Sequence, residues 1–380
     1  MIRKLLCSLL LVSAGCAMAQ PYAIGNTMRN WYDTGRMRDV PADLHYPALV
    51  GGDDQPAAAG VFPVLVLGHG FAMTVDAYDY IWQHFTPLGY TVVLPTTEGG
   101  LAPDHTAFGE DLAFCVGQMQ VENADALSLL FGHVDAASAL LGHSMGGGAA
   151  LLGAAGNAGI QAVVAMAPAE TNPSAVAAAA SVLAPTLVFA ASEDCVTPIS
   201  TNQQPMYDAL GTCKALVNVT GGGHCYFGDD NFLCSFGEFT CGPSLTITRA
   251  EQHDVVTDLA TLWLDHHLRS DAAALTAFTD SMLTTPRAVT QYDCFSTGIG
   301  EALPATPRLW PSPASDLVQV EGLSANATLR IVDMVGAEQA VRVELGAPTR
   351  LHVGALAPGT YRLLVNDENK AYGAAFVVVR

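Results

Sequence analysis

Residues 142–146 read G-H-S-M-G, which is the pattern G-x-S-x-G. An apolar run precedes this pentapeptide and a stretch of small residues follows it, so the sequence predicts a strand, a sharp turn and a helix. In such a turn the serine stands at the tip, where its Oγ can attack a carbonyl carbon at the edge of a sheet. Ser144 is therefore the candidate nucleophile. The alternative is that a chain with 36 glycines forms this pentapeptide by chance, as an ordinary loop.

A serine nucleophile needs a base that accepts its hydroxyl proton and a carboxylate that orients the base. The apolar segment 185–191 predicts a buried strand, and the polar loop after it contains Glu193 and Asp194. The next predicted strand, 215–219, ends in a glycine turn that leads to His224. We therefore expect Ser144, Asp194 and His224 to meet at one sheet edge as a catalytic triad, with Glu193 as the alternative carboxylate.

An oxyanion hole needs a second backbone N–H beside the one that follows the nucleophile. The strand predicted at 61–67 is followed by G-H-G-F, where glycine lets the backbone approach a substrate closely. We assign the N–H groups of Phe71 and Met145 to this hole. His69 and His143 flank it, and each either makes a structural hydrogen bond or contacts substrate in the cleft.

The segments G-H-S-M-G-G-G, P-T-L-V-F-A-A-S-E-D-C-V-T-P and G-G-G-H resemble those of cutinase-like bacterial polyester hydrolases. They also resemble the related dienelactone hydrolase-like and platelet-activating-factor acetylhydrolase-like esterases. The resemblance runs from about Tyr46 to Leu268. It implies an α/β-hydrolase fold and an ester hydrolase that needs neither cofactor nor metal, with Ser144, Asp194 and His224 as its triad. It also implies that Phe71 and Met145 are the oxyanion donors.

The apolar patterns between 61 and 268 alternate between strand-like and helix-like, which is typical of an α/β protein with a mostly parallel sheet. Strands are predicted to begin near 61, 91, 136, 160, 185 and 215. The insert 226–244, which begins with Tyr226, is rich in aromatic residues, glycine and cysteine. It forms either a wall of the substrate cleft or only a disulfide-braced loop.

The first 19 residues have a basic start, an apolar centre and A-M-A at 17–19, the features of a cleaved signal peptide. A lipoprotein signal that uses Cys16 is the alternative. We expect export through the periplasm to the cell surface or the medium, no membrane span after residue 19, and a catalytic domain at 20–300.

Seven cysteines follow the predicted signal peptide. Because an exported chain is oxidised and no C-x-x-C spacing is present, disulfides are favoured over metal ligation. The predicted pairs are Cys195 with Cys213 and Cys234 with Cys241. The odd number leaves one thiol unpaired, and Cys115, within a predicted helix, is expected to be that thiol.

Four prolines at 304–313 mark a linker, assigned to 301–310, and short alternating runs follow it. Residues 311–380 are therefore predicted to form a small β-sandwich domain. W-P-S-P-A-S-D, L-A-P-G-T-Y-R-L-L-V and the terminal F-V-V-V-R resemble the C-terminal sorting domain of type IX secretion substrates. A carbohydrate-binding or other accessory module is the alternative.

The formal net charge of -20 argues against nucleic acid and anionic membranes as partners. We expect a monomeric, secreted serine hydrolase of carboxylic esters, small or polymeric, whose C-terminal domain engages the secretion machinery. An amidase or peptidase with the same triad, and a non-catalytic surface protein on the same fold, are the two alternatives.

Overall fold

The computed structural model describes residues 21–294, 308–311, 313–321, 323, 327–333, 337–346, 348–367 and 370–379. The predicted signal peptide, 1–19, and residues 301–307 of the predicted linker lie outside the described residues.

One sheet takes its strands from the first described stretch, 21–294. In chain order they are β1 (Ala23–Asp33), β2 (Arg38–Ala48), β3 (Gly52–Asp53), β4 (Phe62–Gly68), β5 (Thr91–Pro95), β6 (Val134–His143), β7 (Ala162–Met166), β8 (Thr186–Ala191), β9 (Lys214–Val219) and β10 (Ala288–Asp293).

The α-helices of the same stretch are α1 (Asp79–Phe85), α2 (His105–Ala124), α3 (Met145–Ala154), α4 (Ala175–Ala179), α5 (Gln203–Ala209), α6 (Phe232–Phe239), α7 (Arg249–Arg269) and α8 (Ala272–Thr284). Short 3₁₀ helices span Val75–Tyr78 and Cys225–Phe227. The longest of these helices, α7, begins with a capping box in which Thr248 and Glu251 bond each other's backbone N–H groups.

The strand order is β10-β9-β8-β7-β6-β4-β5-β2-β1-β3. The six strands from β9 to β5 in this order run parallel. On one side β10 pairs antiparallel with β9, and on the other side β2 pairs antiparallel with β5 and β1 antiparallel with β2. The structure is thus mixed α/β with a large, mostly parallel sheet. The six predicted strands correspond to β4 to β9, whereas β1, β2, β3 and β10 were not predicted.

Helices cover both faces of the sheet, and strand residues alternate between the two hydrophobic cores. Val64 and Val66 of β4 pack with α2 to α5, while Leu65 and Leu67 pack with α1, α7 and α8. Because both faces of the central strands are buried, these strands read as continuous apolar runs. The helices found in the described part of the chain lack the combination of length and apolar composition that crossing a bilayer requires.

The C-terminal strands are β11 (Arg308–Trp310), β12 (Leu317–Glu321), β13 (Thr328–Asp333), β14 (Arg342–Glu344), β15 (Thr349–His352), β16 (Gly359–Asp367) and β17 (Lys370–Val378). They form two antiparallel sheets, β11-β12-β15-β14 and β13-β16-β17.

The two C-terminal sheets share one hydrophobic cluster, in which Val318 and Leu351 of the first sheet lie with Leu363 and Phe376 of the second. The last three residues of the predicted linker are not linker, because Arg308–Trp310 pairs with β12 as a strand. The proline pattern misplaced this boundary because it gives no information about pairing with a later strand.

Candidate active site

Ser144 lies in the sharp turn between β6 and α3. Its backbone has φ 54° and ψ -120°, a conformation that residues with a side chain rarely adopt. The Ser144 N–H donates to the Met166 carbonyl on the neighbouring strand at 2.9 Å. A Cβ at Gly142 would overlap the carbonyl of Gly146, and one at Gly146 would overlap that of Gly68. The G-x-S-x-G glycines are therefore required by the close approach of helix and strands.

His224 follows β9, Asp194 follows β8, and both side chains reach Ser144. His224 Nδ1 lies 2.8 Å from Asp194 Oδ2, and His224 Nε2 lies 2.9 Å from Ser144 Oγ. All three residues are buried. A proton on Nδ1 satisfies the carboxylate and leaves the Nε2 lone pair free to accept the Ser144 hydroxyl, so the hydrogen-bond network assigns this tautomer.

The Asp194 carboxylate is held by its own loop. Its Oδ1 accepts the N–H groups of Val196 at 2.9 Å and Thr197 at 2.7 Å, and its Oδ2 accepts the Thr197 hydroxyl at 2.8 Å. The Gln203 amide in turn donates to the Thr197 hydroxyl at 3.1 Å. Thr197 was missed in the sequence, although an Asp followed three residues later by Thr is a known signal of such a side-chain turn. Glu193, the alternative carboxylate, instead accepts the hydroxyl of Ser192.

His143 is fully buried behind Ser144 and connects two loops. Its Nδ1 lies 2.8 Å from the Tyr78 hydroxyl, and its Nε2 lies 3.1 Å from the carbonyl oxygen of His224. Burial, and next the nearby His224, hold the pKa of His143 well below its ordinary value, so the ring is neutral. The neutral ring donates from Nε2 and accepts from the Tyr78 hydroxyl. The Tyr78 oxygen also accepts the Gly70 N–H at 2.8 Å.

His69 is buried as well, with Nδ1 at 2.9 Å from the Gly70 carbonyl and Nε2 at 2.8 Å from the Thr97 carbonyl. The exposed fraction is 1% for His69 and 0% for His143. Both rings are thus buried, and contact of either ring with substrate stays a prediction. Of the two roles left open, each makes the structural hydrogen bonds, because its ring nitrogens face backbone or tyrosine oxygens.

Of the two residues assigned to the oxyanion hole, Met145 directly follows Ser144, whereas Phe71 lies in the loop after β4. Met145 is the first residue of α3, where N–H groups have no acceptor within the helix. Phe71 follows Gly70, the residue that Tyr78 holds, and half of Phe71 is exposed to solvent. The donation of these two N–H groups to a substrate oxyanion stays a prediction.

The predicted cysteine pairs are wrong, although all four cysteines named in them are in disulfides. The pairs in the structure are Cys195–Cys241, Cys213–Cys294 and Cys225–Cys234. Among the described cysteines Cys115 is free, as predicted, and it is buried. Cys213 and Cys294 meet because β9 and β10 are antiparallel with Lys214 opposite Asp293. Nearness along the sequence gave no information about that register.

The insert 226–244 is fastened to the two loops that carry the candidate acid and the candidate base. Cys195 adjoins Asp194 and Cys225 adjoins His224, so two of the disulfides tie α6 to the candidate acid and base. Glu238 of α6 is buried and accepts the Cys225 N–H at 3.3 Å. The insert is thus a disulfide-braced segment beside the site.

Tyr226, the third predicted cleft residue, is half-buried, and its ring lies 4.6 Å from the Arg249 guanidinium carbon. The loop before it is held from α7, since Gln252 both accepts the Gly223 N–H at 3.1 Å and donates to the Gly223 carbonyl at 2.9 Å. Across the described residues, no cluster of three or more His, Cys, Asp or Glu side chains is arranged to hold a metal ion.

Comparison with known protein families gives a match over about half of the chain. The model described as "PETase: PET hydrolase-like" matches residues 46–239, a range that contains Ser144, Asp194 and His224.

Three cutinases are similar over 173 residues, which is 44% of this chain. Cutinase est1 of Thermobifida alba is 25% identical over 55% of its own length. Cutinase 2 of Thermobifida cellulosilytica is 26% identical over 63% of its length, and Cutinase cut1 of Thermobifida fusca is 26% identical over 51%. The chain thus spans between half and two-thirds of the length of these relatives.

Proposed function

The chain belongs to the PET hydrolase-like family, and on that premise we propose that it is a serine hydrolase of carboxylic esters. The observation that carries the proposal is the chain of hydrogen bonds from Asp194 through His224 to Ser144, at 2.8 Å and 2.9 Å. The sheet order and the strand-turn-helix around Ser144 support an α/β-hydrolase fold for the catalytic domain.

In the proposed reaction Ser144 Oγ attacks the ester carbonyl while His224 Nε2 accepts its proton. Asp194 stabilises the resulting imidazolium and keeps its ring oriented. The N–H groups of Phe71 and Met145 stabilise the oxyanion of the tetrahedral intermediate. His224 then protonates the departing alcohol, leaving an acyl-enzyme. Water, activated by the same histidine, releases the acid and restores Ser144.

The substrate is proposed to be an ester, either small or polymeric, since the three similar proteins are named cutinases and the family is named for the hydrolysis of a polyester. The experiment that tests this is a rate screen on p-nitrophenyl esters of increasing acyl length, with a peptide p-nitroanilide and a polyester film beside them. We expect turnover of the esters. Turnover of the anilide alone would replace the ester hydrolase with an amidase or peptidase, and no turnover of any substrate would favour a non-catalytic protein.

We also propose that the protein acts outside the cytoplasm and that its C-terminal β-sheets serve as a type IX sorting domain. Three disulfides within one chain support an oxidising compartment. The sorting role is supported by the sequence segments that resemble such domains and by the two antiparallel sheets between 308 and 378.

A further inference from the structure

Helix α6 exposes an unusual amount of apolar surface. Phe232 and Phe239 are each 79% exposed, Phe236 is 60% exposed and Leu233 is 54% exposed. The rings of Phe232 and Phe236, one helical turn apart, lie 6.2 Å from each other and nearly parallel. Phenylalanine side chains are ordinarily buried, and a group of exposed ones on a single element marks a surface for binding.

The other residues of α6 hold it against the candidate site. Cys234 is bonded to Cys225, and Cys241, two residues after the helix, is bonded to Cys195. Glu238 points inward and is 5% exposed. These attachments leave the three phenyl rings outward on a helix that is covalently fixed to the neighbours of Asp194 and His224. Little conformational entropy is then lost when the rings bind, because the helix is already ordered.

The charge around α6 limits what can bind there. Between 232 and 248 the chain contains no lysine or arginine, and its one acidic residue is the buried Glu238. Asp229 and Asp230 precede the helix, with Asp230 in an ion pair with Arg249 at 3.6 Å, and the whole chain carries a formal charge of -20. Anionic membranes and acidic partners are therefore repelled. A second copy of this chain would bring the same negative charge. An uncharged apolar surface has no such electrostatic cost.

We propose that the exposed face of α6 docks the protein on the uncharged, apolar surface of a solid or aggregated ester. The proposal rests on the proposed function, since such a surface must come within reach of Ser144, and α6 is fixed to the two loops that meet there. The phenyl rings would gain free energy by leaving water at the surface, without any contact with the reacting ester bond.

The test measures adsorption separately from catalysis. The full chain carrying Ser144→Ala, which consumes no film, is titrated onto a polycaprolactone film with and without the triple change Phe232→Ser, Phe236→Ser and Phe239→Ser. We expect the triple change to lower the adsorption constant by about tenfold or more, equivalent to about 1.4 kcal/mol. The matched control replaces Val61, Leu127 and Phe131 with serine. These residues are more than half exposed and precede β4 or β6, at the opposite sheet edge from Ser144, and adsorption should stay unchanged.

With Ser144 intact, the same triple change should leave hydrolysis of a soluble p-nitrophenyl ester within about twofold of the parent while slowing film hydrolysis by a factor close to the lost adsorption. Thermal unfolding checks that the variant is folded. The single variants Phe232→Ser and Phe239→Ser, each expected to lower adsorption by about two- to threefold, replace the triple variant if it is not.

Equal adsorption of the α6 variant and its parent would overturn the proposal. So would an equal loss in the control variant, or a loss confined to vesicles of neutral or anionic phospholipid. A parent that adsorbs through α6 but cleaves no ester would refute the proposed function and leave the docking surface standing. A parent that cleaves esters and adsorbs independently of α6 would refute the docking surface and leave the proposed function standing.

Discussion

The hydroxyl of Tyr78 lies 2.8 Å from Nδ1 of His143, and the same hydroxyl oxygen accepts the Gly70 N–H. His143 reaches the carbonyl of His224 from its other ring nitrogen. One buried tyrosine thus connects the loop that precedes Phe71 with the loop that carries the candidate base. The loops that carry the proposed oxyanion hole and the proposed base are therefore connected by a shared network behind Ser144.

Replacing Tyr78 with phenylalanine keeps the ring and removes these bonds. We expect a loss of about 1–3 kcal/mol in the free energy of unfolding, because the Gly70 N–H and His143 Nδ1 lose a buried partner. We also expect kcat to fall about tenfold, less than the loss on removal of an oxyanion donor. Denaturant unfolding and steady-state kinetics on one soluble ester measure both.

The control for Tyr78→Phe is Tyr90→Phe. The Tyr90 hydroxyl donates to Asp265 at 2.8 Å, away from the triad. This change should lower stability and leave kcat unaltered. If Tyr78→Phe behaved in the same way, the network would have no part in positioning the site.

Asp194→Asn should preserve the fold and lower kcat by about 10⁴, because an amide no longer fixes the tautomer of His224. Glu193→Gln is the matched control, since it makes the same chemical change one residue away at a side chain that bonds Ser192. We expect it to alter kcat by less than about twofold, as for surface changes outside the site. A larger effect of Glu193→Gln than of Asp194→Asn on initial rates would reverse the assignment of the carboxylate.

Stability should fall in mild acid because two half-buried histidines take up protons more readily in the unfolded chain. Burial lowers the pKa of His45 to about 4 and that of His267 to about 4, against an ordinary value of 6.5. Above about pH 6.5 these two histidines do not lower the free energy of unfolding. As the pH falls from about 6.5 to about 4, that free energy decreases, because the unfolded chain binds more protons than the folded chain in this window. Urea unfolding at several pH values measures how the free energy of unfolding depends on pH.

His45→Phe should make the free energy of unfolding less dependent on pH. It keeps a ring against Trp82, whose ring stacks on that of His45 with centroids 4.1 Å apart. Each histidine changes the free energy of unfolding by about 1.4 kcal/mol for each unit by which its pKa differs between the folded and the unfolded chain. A free energy of unfolding that is equal at pH 4.5 and pH 7 would contradict this account.

Ending the chain near Pro304 should leave ester hydrolysis near the full rate, because every proposed catalytic group precedes this position. A small loss of stability is expected, since Arg362 of β16 donates to the Thr290 carbonyl at 3.2 Å. In the native host the truncated enzyme should remain in the periplasm. Assays of each cell fraction on a soluble ester test this. Active truncated enzyme in the medium would rule out the sorting role, and normal export with weaker action on an insoluble ester would favour an accessory module.

The sequence predicted the elements that carry strong local patterns. Strands β4, β5, β7 and β8 are buried along their whole length and β6 and β9 along most of theirs, so each contains an apolar run. The glycines around Ser144 mark a turn that only small residues permit. The three residues of the proposed triad each follow such a strand, which is why the sequence could single them out as candidates.

Features that depend on pairing between distant segments were missed. Strands β1 and β10 lie towards the edges of the sheet with many half-exposed polar residues, so neither shows an apolar run. The Cys213–Cys294 disulfide follows from the register of β9 with β10, which no local pattern reveals. The role of Tyr78 arises from a contact with His143, 65 residues away along the chain, that forms only once the chain is folded.

The most direct test of the central claim is the rate of p-nitrophenyl butyrate hydrolysis by the parent and by Ser144→Ala. If Ser144 is the nucleophile of a triad that works as a unit, kcat should fall by about 10⁶ in a variant that unfolds at the same temperature as the parent. A folded Ser144→Ala variant that hydrolyses the ester at a rate comparable to the parent would contradict the account.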